Sequence, residues 1–206
     1  MIIAVDGPTA SGKGTIARAL AAHFGLPHLD TGLLYRAVGW QTMLNGGDPD
    51  NEGEALAACN FQDDLLTNRE LRSELTGGLA SRVSLHPGVR RALFERQRAF
   101  ATQPGGAVLD GRDIGTEIAP EADAKLFVVA SVPARAERRF REMLAAGRSV
   151  SLAEIAADLE RRDARDRTRI EAPLVAAKDA MLLDTSELSP DAAIAEAIRL
   201  VEARLR

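Results

Sequence analysis

The hydrophobic residues of the chain form short apolar runs separated by longer segments with helical periodicity. The runs predict five strands, at residues 2–5, 26–29, 107–109, 125–130 and 181–183. The segment after the first run is typical of an amphipathic helix, because apolar side chains recur every three or four residues. They are Ile16, Ala19, Leu20 and Phe24, and His23 lies in the same stripe. Strands that alternate with helices favour an α/β fold with a five-stranded parallel sheet covered by helices on both faces.

Residues 45–100 interrupt this alternation. Turn-forming residues are concentrated in Asn45-Gly46-Gly47-Asp48-Pro49-Asp50, and helical patterns resume around residues 69–83 and 89–100. The third predicted strand begins only after Gln103-Pro104-Gly105-Gly106. We interpret residues 45–100 as an insertion within a single domain, since 206 residues are enough for one core with small insertions.

A glycine-rich segment, Gly7-Pro8-Thr9-Ala10-Ser11-Gly12-Lys13-Gly14-Thr15, connects the first strand to the first helix. Its glycines allow a tight turn whose N–H groups point into one concavity, and the following helix adds the positive end of its dipole. We predict that all nine residues, Gly7 to Thr15, form a phosphate-binding loop (P-loop) for a nucleotide. Lys13 would reach the β- and γ-phosphates.

The metal-binding hydroxyl of this loop departs from the usual spacing. It normally follows the lysine directly, but here Gly14 intervenes and Thr15 comes one position later. We predict Thr15 as a Mg²⁺ ligand, and the sequence leaves open whether it contacts the ion directly or through water.

Composition restricts the class of protein. Hydrophobic residues make up 46% of the chain and charged residues 27%, which is typical of a globular enzyme and argues against extensive disorder. Cys59 is the only cysteine, so no intrachain disulfide can form. The three histidines lack metal-ligand spacing, and no apolar run is long enough to span a bilayer. We expect a cytoplasmic protein, a monomer, with no membrane partner.

Arginine is used far more than lysine. All but three of the 26 basic residues are arginines, although the net charge is −4, which argues against a general nucleic-acid partner. Five arginines but only two acids lie between Arg161 and Arg169. Such an excess favours a mobile segment that closes over phosphates, because arginines stabilise the charge that develops in phosphoryl transfer. The alternative is an exposed helix with Arg/Asp pairs.

The P-loop resembles that of nucleoside monophosphate kinases, and four further segments are similar to the bacterial cytidylate kinase family. These segments are Leu29-Asp30-Thr31-Gly32 through Tyr35-Arg36, Arg90 through Phe100, Asp110-Gly111-Arg112-Asp113-Ile114-Gly115-Thr116, and Arg162 through Leu174. The resemblance implies a P-loop NTPase fold with a core (residues 1–44, 101–146 and 170–206), an acceptor-binding insertion (45–100) and a lid (147–169). It further implies transfer of the γ-phosphoryl group of ATP to CMP or dCMP with Mg²⁺.

The same resemblance implies roles for individual residues. The catalytic residues would be Lys13, Arg135, Arg138 and Arg162. The acceptor would be bound by Thr31, Arg36, Ser81, Arg90, Arg112, Asp113, Arg162, Asp166 and Arg169. Asp30 and Asp110 would be outer partners of Mg²⁺, although either could equally be a turn or capping carboxylate. Chemistry agrees for Asp113, because a carboxylate accepts a hydrogen bond from the cytosine N4 amino group.

The insertion departs from the family pattern. Residues 45–68 are too short and too poor in strand-forming residues for the small antiparallel sheet that family members commonly carry. Because this sheet is missing, the sequence leaves open how well the chain discriminates between CMP and UMP. The alternatives are a kinase acting on UMP or AMP, another small-molecule P-loop kinase, or a nucleotide-dependent switch. The base-reading motif Asn-Lys-x-Asp of GTP switches is absent, and an RNA-binding role fits poorly with 4% aromatic residues.

Overall fold

The computed structural model describes residues 1–206 and contains one five-stranded sheet. The strands are β1 (Ile2–Asp6), β2 (His28–Asp30), β3 (Ala107–Gly111), β4 (Ala124–Val129) and β5 (Met181–Asp184), in the spatial order β2-β3-β1-β4-β5. Central β1 pairs in parallel with both β3 and β4, and β4 pairs in parallel with β5. The predicted α/β fold with a five-stranded parallel sheet is confirmed. Because the carboxyl ends of parallel strands meet at one edge, the loops that follow β1 and β3 lie together.

Eight α-helices accompany the sheet. They are α1 (Lys13–Phe24), α2 (Thr31–Leu44), α3 (Glu52–Ala57), α4 (Glu74–Val83), α5 (Pro87–Ala101), α6 (Val132–Ala145), α7 (Leu152–Thr168) and α8 (Pro190–Leu205). Tight turns occupy Asp63–Thr67, Arg69–Arg72 and Ile114–Ile118. No helix combines the length and the apolar character that crossing a membrane requires.

Local capping explains where three of the helices begin. Helix α2 begins at Thr31 because the carboxylate of Asp30 accepts a hydrogen bond from the N–H of Leu33 at 3.2 Å. Residues 69–83 were predicted as one helical stretch, but Ser73 separates a short turn from α4. Its hydroxyl caps α4 by accepting from the N–H of Thr76 at 3.3 Å. Helix α5 starts at Pro87, since proline is well suited to the first turn of a helix.

The chain divides into two compact units, and the first contains the sheet. It comprises Met1–Leu29 and Ala101–Arg206. Helices α1 and α8 cover the sheet with a fully buried apolar cluster that includes Ile3, Val5, Ile16, Leu20, Val108, Leu126, Val128, Ala197 and Val201. Ile3, Ala4 and Val5 of β1 have no solvent exposure, which is typical of a parallel strand covered on both faces. This packing fixes the end of β1, where the P-loop begins.

The second unit is Asp30–Phe100 and contains helices and turns but no strand. It begins earlier than the insertion predicted at residue 45, because α2 packs closely against α4. At the crossing, a Cβ built on Gly39 would lie only 2.7 Å from the Cβ of Leu79. Arg82 on α4 ties down the turn-rich segment by ion pairs with Asp48 and Asp50, at 2.8 and 2.6 Å.

We expect Gly39→Ala to lower the free energy of unfolding by about 1–3 kcal/mol, because the added methyl group would overpack the contact between α2 and α4. Gly78→Ala on α4 is the matched control. Its Cβ would meet nothing within 4 Å, so it should stabilise the helix by up to about 1 kcal/mol. Urea denaturation of both variants measures the difference. A Gly39→Ala variant as stable as the wild type would show that α2 and α4 can move apart without lowering the free energy of unfolding.

Candidate functional site

The P-loop is shaped by a close approach of backbone to backbone. A Cβ on Gly7 would lie 2.0 Å from the carbonyl oxygen of Val128, so no larger residue fits there. Gly12 adopts a left-handed conformation, with φ of 91°, and a Cβ there would point into open space. The N-terminus of α1 receives no side-chain cap from Gly12 and has no acidic residue in its first turn. No carboxylate or capping side chain therefore competes with an anion at the N-terminus of α1.

Two polar side chains of the loop support the same interpretation. Lys13 donates from Nζ to the carbonyl oxygen of Pro8 at 3.5 Å, which folds its side chain back over the loop. Ser11 is fully buried, and its Oγ has no hydrogen-bond partner. A buried hydroxyl without a partner is costly and rare in native structures. The loop thus has the backbone and side-chain donors that a phosphate group needs.

Helices α6 and α7 pack against the tip of this loop. Ala136 of α6 and Ile155 and Leu159 of α7 form a small buried cluster, and Ala10 packs against it. Ala10 has a φ of 62°, unusual for a residue with a Cβ. The contact with both helices compensates for this backbone strain. Ala10 of the P-loop therefore packs against a cluster to which α7, the helix of the predicted lid segment, contributes two residues.

Arg135 of α6 forms a buried ionic contact with α7. Its side chain is 2% exposed and forms a two-pronged ion pair with Asp163 of α7, at 3.0 and 2.6 Å. Arg135 also donates to the carbonyl oxygens of Thr9 and Ala130, at 3.1 and 2.9 Å. The sequence predicted Arg135 as a catalytic residue near the donor phosphates. Its guanidinium lies beside the P-loop and connects this loop to α6 and α7.

Arg112 bridges the same loop to the same helix. Its Nη2 donates to the hydroxyl of Thr9 and its Nε donates to Asp166 of α7, both at 2.7 Å. One residue further along, Asp113 pairs with Arg169 at 3.4 Å. Three residues predicted to bind the acceptor, Arg112, Asp113 and Asp166, are buried or half-buried within one small region. The structure therefore brings together most of the acceptor residues that the sequence predicted in this unit.

Arg162 and Arg165 add positive charge on the face of α7 that also carries Asp166. The side chain of Arg162 is 8% exposed and lies 2.7 Å from Asp158. Burial lowers the pKa of Arg162, and the nearby Arg112 lowers it further, while Asp158 opposes both. The Nε atom of Arg165 is buried without a hydrogen-bond partner. Concentrated, partly desolvated positive charge of this kind attracts phosphate groups.

Arg138 is oriented by the segment that follows β5. It donates to both the hydroxyl and the carbonyl oxygen of Thr185, the former at 3.1 Å. Thr185 in turn donates to the carbonyl oxygen of Ser11 at 2.9 Å. The predicted catalytic residue Arg138 is thus linked to the P-loop through one threonine.

Asp6 is a buried carboxyl group at the carboxyl end of β1. Its two oxygens accept hydrogen bonds from the N–H groups of Ile114 and Gly115, each at 2.8 Å. Burial raises the pKa of Asp6 to about 7, and Asp113 adds to this rise, whereas the two backbone bonds and Lys13 oppose it. Asp6 therefore connects the start of the P-loop to the residues that follow Asp113.

Oxygen ligands for a metal ion are present beside the loop. Asp110, at the end of β3, is 3% exposed, and its carboxylate would lie 3.5 Å from a Cβ built on Gly14. Thr15 is exposed, and its hydroxyl accepts from Arg18 at 3.3 Å. No group of three or more His, Cys, Asp or Glu side chains could by itself hold an ion. Mg²⁺ is typically bound by one or two carboxylates together with substrate phosphates, so these residues fit that ion.

The remaining predicted acceptor residues belong to the second unit. Arg36 donates from Nη1 to the carbonyl oxygens of Leu71 and Ser73, at 2.9 and 2.8 Å. Arg90 is 8% exposed, and its guanidinium lies 5.7 Å from the centre of the Tyr35 ring. The remaining two are Thr31, which is 3% exposed, and Ser81, whose Oγ is buried without a partner. Asp30, predicted as a possible Mg²⁺ partner, serves here as the cap of α2.

Comparison with known proteins places this arrangement in a family. A family model described as cytidylate kinase matches residues 3–203. A cytidylate kinase from Xanthobacter autotrophicus is 54% identical over 204 residues, covering 99% of this chain and 98% of that protein. A cytidylate kinase from Cereibacter sphaeroides is 55% identical over 202 residues, covering 98% of this chain and 95% of that protein. The chain belongs to the cytidylate kinase family.

A solved structure supports the fold independently. An uncharacterised protein from Eubacterium ventriosum superimposes with a TM-score of 0.58 at 17% identity, covering 98% of each chain. This likeness concerns the fold alone.

The sequence did not reveal several residues that shape the site. Asp163, Thr185 and Asp6 each contact a segment far away along the chain. The only signal in the sequence was the three-residue spacing of Asp163 and Asp166, which makes them neighbours on the surface of one helix. Arg165 shares the α7 face with Arg162; the sequence placed it in the arginine-rich segment predicted to close over phosphates but gave it no individual role.

Proposed function

We propose that the chain transfers the γ-phosphoryl group of ATP to CMP or dCMP, giving ADP and CDP or dCDP. Membership of the cytidylate kinase family supports this reaction. The structural observation that carries it is the pair of contacts made by Arg112, with Thr9 of the P-loop on one side and Asp166 on the other. A loop that fits donor phosphates and a segment that fits a cytosine acceptor therefore lie next to each other, as a two-substrate transfer requires.

On the donor side, the backbone N–H groups of residues 7–15 bind the ATP phosphates at the N-terminus of α1. Lys13 interacts with the β- and γ-phosphates, and Ser11 supplies a buried hydroxyl. Thr15 and Asp110 would hold Mg²⁺, which neutralises phosphate charge when it is bound. The substrates ATP and CMP are cytoplasmic metabolites, and we place the reaction in the cytoplasm.

During transfer, negative charge develops on the oxygens of the phosphoryl group, and positioned arginines stabilise it. Arg162 and Arg165 of α7 supply this charge, while Arg138 and Arg135 hold the base of the lid against the loop. Ala10 packs against the buried cluster of α6 and α7, so closure of these helices over bound ATP would exclude water from the loop. Excluding water protects ATP from hydrolysis while the acceptor is absent.

On the acceptor side, Arg112 and Asp113 recognise cytosine, and Asp166 and Arg169 bind the sugar and phosphate. A carboxylate only accepts hydrogen bonds, so Asp113 matches the N4 amino group of cytosine and opposes the O4 carbonyl of uracil. We also assign Thr31, Arg36, Ser81 and Arg90 of the second unit to the acceptor. The buried Oγ of Ser81, which has no partner within the protein, supports this assignment.

We expect Asp113→Asn to reduce the preference for CMP over UMP, measured as a ratio of kcat/KM, by about tenfold or more. The amide supplies an N–H donor that uracil O4 can use, while its oxygen still accepts from cytosine. The KM for ATP, measured in the same assays, should change by less than about twofold. An unchanged ratio would remove Asp113 from the base-binding pocket.

Product analysis tests the proposed reaction. The chain is incubated with ATP, Mg²⁺ and CMP, and nucleotides are separated by anion-exchange chromatography. We expect CDP and ADP to form in equal amounts. ADP with inorganic phosphate and without CDP would identify a hydrolase instead.

A further inference from the structure

Asp6 has no role in the reaction described above, yet it is a buried acidic residue at the start of the P-loop. Its residue surface is 5% exposed. Burying a carboxylate is unfavourable unless its oxygens receive hydrogen bonds. The raised pKa of Asp6, with burial as its largest cause, reflects this cost. A leucine or valine at the end of a central strand would avoid it.

Both carboxylate oxygens are used by one short segment. Oδ1 accepts from the N–H of Ile114 and Oδ2 from the N–H of Gly115, each at 2.8 Å. These are the first residues of the turn Ile114–Ile118, where the leading N–H groups lack partners within the turn itself. A Cβ on Gly115 would lie 3.4 Å from Oδ2, so the backbone approaches the carboxylate closely.

The segment held in this way directly follows Arg112 and Asp113. Asp113 has a φ of −143° and a ψ of 24°, outside regular secondary structure, so no strand or helix determines its direction. Thr9 holds the same segment at a second point by accepting from Arg112 at 2.7 Å. Asp6 and Thr9, on either side of Gly7-Pro8, thus fasten Arg112–Gly115 to the start of the P-loop.

We propose that Asp6 is a positioning residue for the acceptor nucleotide, which acts by holding the main chain of Ile114 and Gly115. The position of the cytosine-reading side chains Arg112 and Asp113 relative to the P-loop then depends on this carboxylate. The inference rests on the proposed function, because it assigns the acceptor to Arg112 and Asp113.

Asp6→Asn tests this role with a side chain of the same shape. An amide offers one accepting oxygen, and its NH₂ group would face the second backbone N–H, so one of the two bonds is lost. The matched control is Asp123→Asn. Asp123 accepts from the N–H of Ile2 at 2.7 Å, at the opposite end of β1. Both variants replace a carboxylate that accepts hydrogen bonds from backbone N–H groups, but only Asp6 lies beside the proposed site.

Steady-state kinetics with CMP and Mg-ATP provide the first readout. We expect Asp6→Asn to raise the KM for CMP by about tenfold and to change the KM for ATP by less than about twofold. Asp123→Asn should change neither. A folded Asp6→Asn variant with an unchanged KM for CMP, or with both KM values raised equally, would overturn the inference. A wild-type chain that phosphorylates no CMP would instead overturn the proposed function.

Amide hydrogen exchange without nucleotide provides a second readout that is independent of activity, and its wild-type part does not depend on the folding of the variant. In the wild type, the amides of Ile114 and Gly115 should exchange far more slowly than those of the exposed loop residues Val175 and Ala176. In Asp6→Asn, at least one of the two should exchange about tenfold faster, with β4 unchanged. Rapid exchange of both amides in the wild type would contradict the role of Asp6 even if the variant did not fold.

Discussion

Lys13→Ala is expected to lower kcat by about 10²–10³-fold or more, since removing one group that stabilises developing charge typically has an effect of this size. Lys13 is half-buried, and its ammonium group lies over the P-loop at 3.5 Å from the carbonyl oxygen of Pro8. It therefore lies on the side of the loop that we assign to the phosphates of ATP and not in the apolar core. The thermal midpoint should stay close to that of the wild type. Steady-state kinetics and thermal unfolding of the same preparation measure both effects.

Lys178→Ala is the control for this experiment, because Lys178 is an exposed lysine outside the site. It should leave kcat and both KM values unchanged. Near-normal turnover by Lys13→Ala would contradict the assignment of residues 7–15 as the donor-phosphate loop. A collapse of stability in Lys13→Ala would show that the lysine has a structural role that its position does not suggest.

Asp163→Ala is expected to destabilise the protein by about 3–5 kcal/mol, because it leaves the buried guanidinium of Arg135 without its carboxylate. Both side chains are almost fully buried, at 2% and 5% exposure. For a chain of this length, that loss corresponds to a fall in the thermal midpoint of about 6–20 °C. Turnover should fall as well, since Arg135 also holds the carbonyl oxygen of Thr9. Thermal unfolding and steady-state kinetics test the two parts of this expectation.

Two further variants separate the causes. Glu142→Ala breaks an exposed pair with Arg139 on α6 and should change stability by less than about 1 kcal/mol. The double variant Arg135→Met/Asp163→Leu removes both charges and should recover most of the lost stability. It should not recover turnover, because the tie from α6 to Thr9 is still missing. An Asp163→Ala variant as stable as the wild type would contradict the burial of the ion pair between Arg135 and Asp163.

The parts of the site that the sequence predicted are those encoded in contiguous motifs. The conformation of residues 7–15 could be predicted from their sequence alone, because the glycine spacing and the following helix determine a P-loop locally. Asp110 to Thr116 was identified through resemblance to a family, which implied that Arg112 and Asp113 bind the acceptor; in the structure Arg112 contacts Thr9 of the P-loop. The sheet followed from apolar runs that are characteristic of buried parallel strands.

The parts that were missed depend on contacts between distant segments. Asp163 is 28 residues from Arg135, and Asp6 is 108 residues from Ile114. No periodicity links such pairs, so their pairing appears only when the chain is folded. For the same reason, the sequence predicts Arg135 as a residue near the donor phosphates but does not reveal its ion pair with Asp163, which accompanies the bond to the carbonyl oxygen of Thr9 in the P-loop. The start of the second unit at Asp30 likewise depends on the packing of α2 against α4.

The most direct test is the wild-type value of kcat/KM for CMP, dCMP, UMP and AMP with Mg-ATP, followed by ADP release. We expect CMP and dCMP to exceed UMP and AMP by about tenfold or more, since a buried carboxylate facing a carbonyl is strongly unfavourable. Faster turnover of UMP or AMP than of CMP and dCMP would contradict cytosine recognition by Arg112 and Asp113.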